Sequence, residues 1–489
     1  MTKELRILFL ISEIDPLIKI GGLGDVGGSL PRALASLPPE NLNGYRIDIR
    51  VCAPLHAPIR HKLPVARIIA EFSLENRRGK VSATVFESEL NGVVTYLIDG
   101  EPVRRAPKVY NEDETLDGEK YVFFSLASLE LARFLGWKPD IVHCHDWHAA
   151  PAVYQLSRSR LGDMFFTNTR SIFTIHNLPF MGKGASQAMT DYGLPPTSSP
   201  ALPDWARHLP LPLGLLSADW ITTVSPTYAA EILSPEFGCG LEEFLASRQS
   251  TISGILNGLD LTSWDPQKDR ALILPFNIDS VHKRTVNKQA LLEEFSLKKD
   301  PAIPLLAFIG RMDFQKGLDV LLEGLELIAD TSWLAILLGT GNAQLERAAI
   351  EMQQKYPNHI RAAIRFDPKL SRMLYAGADM ILIPSRYEPC GMVQMIAMRY
   401  GCIPVAHETG GLKDTIQDRP DDQKTGFLYQ TNTAIELAQS LRLAFSYYKN
   451  QKLWRTIQQN AMRQDFSWKH SANEYAKLYL RLCLLYTSP

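Results

Sequence analysis

Short apolar runs alternate with amphipathic segments along the first half of this chain. The runs occupy residues 6–12, 47–52, 141–144 and 171–176, and each is of strand length. Between residues 117 and 135 the apolar side chains recur at helical intervals, which predicts a helix leading into the strand that starts at Ile141. Continuous apolar strands with helices between them are typical of a parallel sheet that is buried on both faces. The pattern therefore predicts an α/β fold.

A second series of the same kind occupies the other half of the chain, at residues 304–310, 333–339, 380–384 and 402–406. A polar stretch at 265–300 separates the two series, and polar connections of this kind mark domain boundaries. We therefore predict two Rossmann-like, doubly wound domains, at residues 1–260 and 261–465. Ligands of open parallel sheets bind beyond the carboxyl ends of the strands. Two such sheets facing a central cleft would place the chemistry in their strand-end loops.

The composition is that of an ordinary globular protein. Of the 489 residues, 45% are hydrophobic and 21% are charged, and 52 basic residues against 53 acidic ones leave a net charge of -1. This balance predicts neither a nucleic-acid partner nor binding to an anionic membrane. No apolar run approaches the roughly 18 residues of a membrane span, and the six cysteines form no CxxC pair, which favours reduced thiols. We expect a cytoplasmic enzyme.

A glycine-rich segment at residues 19–29 follows the first predicted strand. Its glycines at 21, 22 and 24 would let backbone N–H groups approach a ligand closely, and a helix start behind them would favour an anion. Lys19 adds a positive charge, which favours a phosphate or sugar ligand. The segment lacks the GxxxxGK[ST] spacing of a P-loop, and its GxGxxG spacing has no ribose-binding acid in a convincing position. The alternative is a glycine turn needed only for close packing of a strand and a helix.

Histidines gather where the strand at 141–144 ends, in the sequence HCHDWH at 143–148. In an extended segment the first two histidines would project to one side, and Asp146 or His148 could complete a metal site. No second histidine or cysteine cluster supplies distant ligands, however. A structural role is another alternative, and we favour a third one, a polar loop that binds a sugar. The next strand ends at His176 and Asn177, which would add polar side chains to the same rim.

Basic and acidic side chains follow two strands of the second series. Arg311 and Lys316 lie in the loop after its first strand, where together they could neutralise a diphosphate leaving group. Glu388 follows a later strand, and a carboxylate there can bind sugar hydroxyls. A solvated basic turn and a partner of a helix dipole are the alternatives for these two features. The glycine turn at 408–412 is a second candidate anion site.

These segments resemble the motifs of the bacterial glycogen synthases and plant starch synthases, the family 5 glycosyltransferases. The matching segments follow one another along nearly the whole chain, at residues 19–26, 143–148, 173–177, 223–228, 255–260, 310–317, 385–391 and 409–412. The sequence Asp-Phe-Ser-Trp at 465–468 also resembles the segment that leads into the family's last helix. The resemblance implies a GT-B architecture with an acceptor-side first domain, a nucleotide-sugar-binding second domain, and a final helix at 466–489 that packs back on the first domain.

The resemblance also implies an activity and the residues that carry it. The family transfers glucose from ADP-glucose to the non-reducing end of an α-1,4-glucan, such as glycogen or a maltooligosaccharide, with retention of configuration and without a metal or other cofactor. The expected catalytic residues are Asp146, His176, Asn257, Arg311, Lys316 and Glu388. The expected substrate-binding residues are Lys19, Gly21, Gly22, Asp25, Asn177, Cys390, Gly391, Thr409, Gly410 and Gly411.

In the first domain the resemblance gives Lys19 a contact with the donor and places Asp146 and His176 in the glucose pocket. Asn257 would assist from the loop between the domains. In the second domain the resemblance agrees with the roles argued above for the basic pair and the carboxylate, and the glycine turn would donate N–H bonds to phosphate. Domain closure would exclude water from the reaction. Transfer could then proceed on one face with help from the leaving phosphate, or through a covalent intermediate on Glu388.

Some positions depart from the family pattern. Ile20 and Gly24 stand where the family usually has Thr and Ala. The sequence Asp-Gly-Glu-Lys-Tyr at 117–121 replaces an expected Asp-Asn-x-x-Arg-Phe, a change that would affect the acceptor path. Ile396 stands where related transferases often have a second Glu, which favours family 5. A sucrose-type transferase and an inert glucan-binding protein are the alternatives, and the intact charged residues argue against the inert one.

Overall fold

The computed structural model of this protein describes residues 3–60 and 66–484. The described chain divides into two compact units. The first unit contains the residues up to Gly258 and those from Ser467 onward, and the second spans Leu259–Phe466. The polar stretch that separates the two series of strands therefore lies inside the second unit. No helix in the described ranges is both long and apolar enough to cross a membrane.

A mixed sheet forms the centre of the first unit. Its strands within the described residues are β1 (Lys3–Leu10), β2 (Tyr45–Pro54), β3 (Arg67–Asn76), β4 (Gly79–Leu90), β5 (Val93–Gly100), β6 (Ile141–His145), β7 (Arg170–Ile175), β8 (Trp220–Thr223) and β9 (Ile252–Gly254). They lie in the order β3-β4-β5-β2-β1-β6-β7-β8-β9, and every neighbouring pair from β5 to β9 is parallel. The central strands are buried almost throughout, which explains their continuous apolar runs.

One edge of this sheet is antiparallel, which the apolar runs do not predict. β3 pairs with β4, and β4 with β5, in antiparallel register. More exposed and less exposed positions alternate along most of β3, because one face of this edge strand is solvated. Such alternation lacks the continuous apolar runs that mark the buried strands. The expected parallel sheet therefore gains an additional hairpin.

The first helix, α1 (Gly22–Ala35), begins earlier than expected, within the glycine segment. The helices that follow it in the first unit, before the chain enters the second, are α2 (Glu101–Arg105), α3 (Glu114–Phe134), α4 (Ala150–Ser159), α5 (Ser186–Asp191), α6 (Pro210–Ser217), α7 (Pro226–Glu231) and α8 (Glu242–Ser247). Because α1 starts at Gly22, most of the expected glycine loop is helix. Close packing requires two of its glycines. A Cβ on Gly27 would lie 2.2 Å from the carbonyl oxygen of Glu13. A Cβ on Gly28 would lie 2.3 Å from that of Asp15.

The sheet of the second unit is parallel throughout its described strands. These are β10 (Leu305–Ile309), β11 (Leu334–Gly339), β12 (Ile360–Ile364), β13 (Met380–Ile383), β14 (Ile403–His407) and β15 (Phe427–Tyr429). Their order is β12-β11-β10-β13-β14-β15. The helices are α9 (Arg284–Glu294), α10 (Leu318–Glu326), α11 (Ala343–Lys355), α12 (Pro368–Gly377), α13 (Val393–Arg399), α14 (Gly410–Thr415), α15 (Ala434–Lys449) and α16 (Gln451–Arg463). The sequence predicts four of the strands and misses β12 and β15, which lie at the two edges.

The last helix, α17 (Trp468–Leu484), belongs to the first unit, which confirms the expected return of the chain. The hydroxyl of Tyr479 on this helix lies 2.8 Å from Nδ1 of His143 in β6. The start of α17 packs on Gly258, the residue at which the chain leaves the first unit. A Cβ on Gly258 would lie 2.6 Å from the backbone nitrogen of Trp468. Glycine therefore permits the close approach of these two segments.

Candidate active site

The carboxyl ends of β6 and β7 bring Asp146 to His176 and Asn177. Asp146 directly follows β6 and has a left-handed backbone conformation with a φ of 55°, which is uncommon for a residue other than glycine. Its Oδ1 accepts hydrogen bonds from the backbone N–H of His176 at 2.7 Å and from that of Asn177 at 3.4 Å. The shared edge of two neighbouring parallel strands thus holds these three residues together.

Burial determines the protonation of these groups. Removal from water raises the pKa of Asp146 to about 7, although the two backbone N–H donors oppose the shift. Burial also lowers the pKa of His176 to about 3 and holds that of His145 well below its usual value. The histidines are therefore neutral at physiological pH, and Asp146 titrates there. A buried, hydrogen-bonding surface of this kind suits sugar hydroxyls.

The histidines of the HCHDWH segment pack as rings against one another. The rings of His143 and His145 lie 4.2 Å apart, and the two ring nitrogens of His143 face the hydroxyls of Tyr479 and Thr174. In the described part of the chain, no group of three or more His, Cys, Asp or Glu side chains is arranged to hold a metal ion. The contacts seen in this segment are those of hydrogen-bonded, packed imidazoles.

Lys19 is held by an ion pair at the start of α1. Its Nζ lies 2.6 Å from Oδ1 of Asp25, which is in the first turn of the helix. Burial raises the pKa of Asp25, and the positive charge of Lys19 opposes this shift. Gly22 is the first residue of the helix. The segment therefore presents a lysine that already has a counter-ion.

Glu13 is a residue of this region that the sequence analysis missed. Its buried carboxylate accepts hydrogen bonds at Oε2 from the backbone N–H of Ile20 at 2.6 Å and from that of Gly21 at 3.0 Å. The N–H of Gly21 is thus engaged within the protein. The hydroxyl of Tyr110 donates to Oε1 of the same carboxylate. Glu13 stands just after the first strand, where its charge could have been noticed, whereas Tyr110 lies in a loop without any pattern.

The segment that departs from the family pattern near residue 120 supports Tyr110. Lys120 is fully buried, and its Nζ donates to Oδ1 of Asp117 and to the carbonyl oxygen of Val109, each at 2.7 Å. Burial lowers the pKa of Lys120, and the charge of Asp117 opposes this shift. These bonds fix the residue that precedes Tyr110. The departure therefore bears on the position of the tyrosine that contacts Glu13.

Two amide side chains of the first unit have buried oxygens without protein partners. In the described ranges, neither Oδ1 of Asn177 nor Oδ1 of Asn257 has a hydrogen-bond donor. A buried acceptor without a partner costs about 1 to 3 kcal/mol, which a ligand that donates a hydrogen bond would recover. Asn257 is mostly buried and directly precedes Gly258, the residue at which the chain leaves the first unit. These two oxygens indicate a polar ligand.

The loop between β10 and α10 carries Arg311 and Lys316. The guanidinium of Arg311, with 57% of the side chain exposed, lies 2.7 Å from a carboxylate oxygen of Asp313. It also donates to Oε1 of Gln315 at 2.7 Å. The Nζ of Lys316 lies 2.6 Å from Oε2 of Glu388. Since β10 and β13 are neighbours, their carboxyl ends bring this lysine and this carboxylate together.

The glycine turn at the start of α14 packs against the loop that carries Glu388. Gly410 has a φ of 45°, and a Cβ there would lie 2.0 Å from the carbonyl oxygen of Glu388. The N–H of Gly411 donates to that carbonyl oxygen at 2.9 Å. This N–H is engaged within the protein, so its expected bond to phosphate stays a prediction. The same two loops contain the other expected substrate-binding residues, which are Cys390, Gly391 and Thr409.

Two family models and several relatives match this chain. The model described as the starch synthase catalytic domain matches residues 6–247, and the model described as glycosyl transferases group 1 matches residues 303–446. A glycogen synthase of Anoxybacillus flavithermus is 34% identical over 481 residues, which cover 97% of this chain and 97% of the relative. One of Cellvibrio japonicus is 37% identical over 497 residues, with 98% and 99% covered. This chain belongs to the glycogen synthase family.

Solved structures agree with this family assignment. The catalytic domain of starch synthase IV from Arabidopsis thaliana, bound to ADP and acarbose, matches with a TM-score of 0.86 and 29% identity, and 99% of this chain and 100% of that chain are covered. Sucrose-phosphate synthase of Thermosynechococcus elongatus matches with a TM-score of 0.62 and 19% identity, covers 98% and 100%, and bears on the fold alone. These matches confirm the predicted α/β, GT-B fold class. Family membership confirms the predicted glucosyltransferase.

Proposed function

We propose that this protein transfers glucose from ADP-glucose to the non-reducing end of an α-1,4-glucan, with retention of configuration at the anomeric carbon. The observation that carries the proposal is the 2.6 Å contact between Nζ of Lys316 and Oε2 of Glu388. One contact supplies a cation for a diphosphate and a carboxylate for sugar hydroxyls, which together are what a nucleotide-sugar site needs. The Arabidopsis relative, solved with ADP and acarbose, supports the same assignment.

The second unit would supply the positive charge for the leaving group. Arg311 and Lys316 are the groups proposed to bind the diphosphate, with no resident cofactor. Arg311 is bound here to Asp313 and Gln315, and a diphosphate would take over the guanidinium from these partners. Charged donors at the position where negative charge develops stabilise the transition state.

The first unit would bind the sugar. We assign Asp146 and His176 to the glucose hydroxyls, because burial keeps His176 neutral and raises the pKa of Asp146 to about 7, and both side chains can form hydrogen bonds. The unpartnered oxygens of Asn177 and Asn257 would accept bonds from hydroxyls. Lys19, which is paired here with Asp25, would contact the donor.

The proposed transfer takes place on one face of the glucose ring. The bond between the anomeric carbon and the diphosphate oxygen breaks, and a bond to the acceptor oxygen forms on the same face. The proton of the acceptor hydroxyl passes to the departing phosphate oxygen. Oε2 of Glu388 accepts hydrogen bonds from Lys316 at 2.6 Å and from Ser385 at 2.9 Å, so a covalent intermediate on this residue would have to form through its other oxygen, Oε1.

A donor and acceptor screen tests the proposal. ADP-glucose and UDP-glucose are each offered with glycogen, with maltooligosaccharides and with no acceptor, and both nucleoside diphosphate release and glucan length are measured. We expect release from ADP-glucose that depends on the glucan and is matched by chain elongation. Turnover only with UDP-glucose would contradict the donor assignment. Binding of glycogen without any diphosphate release would establish an inert glucan-binding protein instead.

A further inference from the structure

His145, the last residue of β6, contacts His176 although the proposed function assigns it no role. Nδ1 of His145 lies 2.9 Å from Nε2 of His176. The ring of His145 is fully buried and packs against the rings of Phe9 and His143, each with a centroid distance of 4.2 Å. These two aromatic neighbours restrict its position.

The rest of the HCHDWH segment strengthens this arrangement. Nδ1 of His143 lies 2.8 Å from the hydroxyl of Tyr479 in α17, and its Nε2 lies 2.7 Å from Oγ1 of Thr174 in β7. Oγ1 of Thr174 is in turn 2.6 Å from that of Thr222 in β8. Three strands and the last helix thus hold the ring that supports His145.

The contact between the two imidazoles allows two arrangements of the proton, because both rings are neutral. In one arrangement Nδ1 of His145 donates to Nε2 of His176, and Nε2 of His145 carries a lone pair and no proton. In the other, His176 donates from Nε2, and Nε2 of His145 must carry a proton. Among the described residues, Nε2 of His145 is buried and has no hydrogen-bond partner. A buried N–H without an acceptor is the more costly of the two states, so the geometry favours donation by His145.

The tautomer of His176 follows from this choice. If its Nε2 accepts the hydrogen bond from His145, a neutral His176 must carry its proton on Nδ1. In the part of the chain that the structure describes, Nδ1 of His176 has no hydrogen-bond partner. Unlike Nε2 of His145, this atom is not fully buried. The N–H of Nδ1 is therefore the hydrogen-bond donor that His176 retains for a ligand.

We propose that His145 is a positioning residue that holds His176 as its Nδ1–H tautomer, so that His176 donates a hydrogen bond to an oxygen of the glucosyl group. The identity of the ligand rests on the proposed function, whereas the tautomer rests only on the contacts within the first unit. The carboxyl oxygens of Asp146 accept hydrogen bonds, and the N–H of His176 donates one. The two side chains would therefore distinguish the proton of a sugar hydroxyl from its oxygen.

Nitrogen NMR of the histidine side chains tests the tautomer directly. The protein is labelled with ¹⁵N-histidine, and the spectrum separates ring nitrogens that carry a proton from those that bear a lone pair. His176→Asn identifies the signals of His176 by their loss. We expect Nδ1 of His176 to be protonated and its Nε2 to be bare. Protonation of Nε2 instead would overturn the proposal, and this measurement needs no substrate.

Substitutions of His145 test its effect on the reaction. His145→Phe keeps the ring but removes the donor, and we expect His176 to change tautomer and kcat/KM for the nucleotide sugar to fall at least about tenfold, the worth of one hydrogen bond. Asn places an N–H near the position of Nδ1, so His145→Asn should restore the tautomer and recover most of the rate. Gln, whose amide reaches the position of Nε2, serves as the matched control and should recover neither.

Two outcomes of these substitutions would also overturn the inference. One is a folded His145→Phe protein that keeps both the Nδ1–H tautomer and the rate of the native protein. The other is a Gln variant that performs as well as the Asn variant. If ADP-glucose proves not to be the donor, the proposed function fails, but the tautomer of His176 and its dependence on His145 are still measured. The two failures are therefore distinguishable.

Discussion

The proposed site residues of the first unit and those of the second unit are built in different ways. In the first unit, apart from the partly exposed Lys19, they are bonded to backbone or to another side chain, as Asp146 is to two N–H groups and His176 is to His145. In the second unit Arg311 and Lys316 are charged, with 57% and 21% of their side chains exposed. Each of these cations is paired with a carboxylate from a strand-end loop.

This difference reflects the ligands that each region is proposed to bind. An exposed ion pair contributes about 0 to 1 kcal/mol, so Arg311 can exchange Asp313 for a phosphate at little cost. A buried group has no such freedom, because losing its partner costs the full desolvation penalty. Sugars differ in the orientation of their hydroxyl groups, and side chains held in fixed positions can distinguish one orientation from another. Diphosphates carry charge, and charged groups that can change partners suffice to bind them.

The largest expected effect concerns the charge in the second unit. Lys316→Ala should reduce kcat by about 1,000-fold with the protein still folded, since a donor to the leaving group is lost. Steady-state rates with ADP-glucose and glycogen measure this loss. Lys355→Ala, which removes an exposed lysine paired with Glu326 in the same unit, is the matched control and should leave the rate unchanged. A rate near that of the native protein would remove Lys316 from the mechanism.

The next effect concerns the buried carboxylate of the first unit. Burial raises the pKa of Asp146 to about 7, whereas a carboxyl of this type ionises near about pH 4 in the unfolded chain. The unfolded chain therefore binds fewer protons between these values, and the free energy of unfolding falls as the pH rises from about 4 to about 7. The full change in pKa corresponds to at most about 4 kcal/mol.

Asp146→Asn should remove this pH dependence from the unfolding of the first unit. Urea denaturation of the native and variant proteins at several pH values gives the difference between their stability curves. Asp204→Asn replaces an aspartate whose side chain is 89% exposed and should follow the native curve. Parallel curves for native protein and Asp146→Asn would mean that the carboxylate is not held protonated in the fold.

A somewhat smaller effect concerns the support behind Tyr110. Lys120→Met should destabilise the first unit by about 3 kcal/mol, because the buried carboxylate of Asp117 loses its cation. Asn111 still donates two hydrogen bonds to that carboxylate, which limits the loss. The control is Lys120→Arg, which keeps the charge. Urea midpoints measure both variants, and an unchanged midpoint for the methionine variant would show that the pair contributes nothing.

The smallest effect tests a departure from the family pattern beside Lys19. A Cβ on Gly24 would lie 3.0 Å from Cβ and Cγ of Lys19, so the lysine must shift by a few tenths of an ångström. The higher helix propensity of Ala offsets part of this cost, and we expect Gly24→Ala to change stability by less than about 1 kcal/mol. KM for ADP-glucose should change a few-fold at most. In Gly162→Ala, the control in the same unit, the added Cβ meets nothing within 4 Å.

Much of this protein is determined by local sequence. The apolar runs identify the buried parallel strands, because a strand covered on both faces must be apolar throughout. The motifs at strand ends identify the family, because a few residue types at fixed spacing suit phosphate and sugar. The solvated hairpin β3–β4 escaped this reasoning, since its alternating pattern differs from that of a buried strand. The extension of α1 to Gly22 escaped it as well, because glycine is a poor helix former.

Only the tertiary structure decided which partner each polar group has. The sequence shows that His145 and His176 lie at strand ends, but the adjacency of β6 and β7 puts their nitrogens 2.9 Å apart. Burial, which no single residue reveals, raises the pKa of Asp146 and neutralises the imidazoles around it. Glu13 contacts Tyr110 across 97 residues. Sequence patterns record local geometry and chemical type, whereas hydrogen bonding and desolvation depend on residues that meet only after folding.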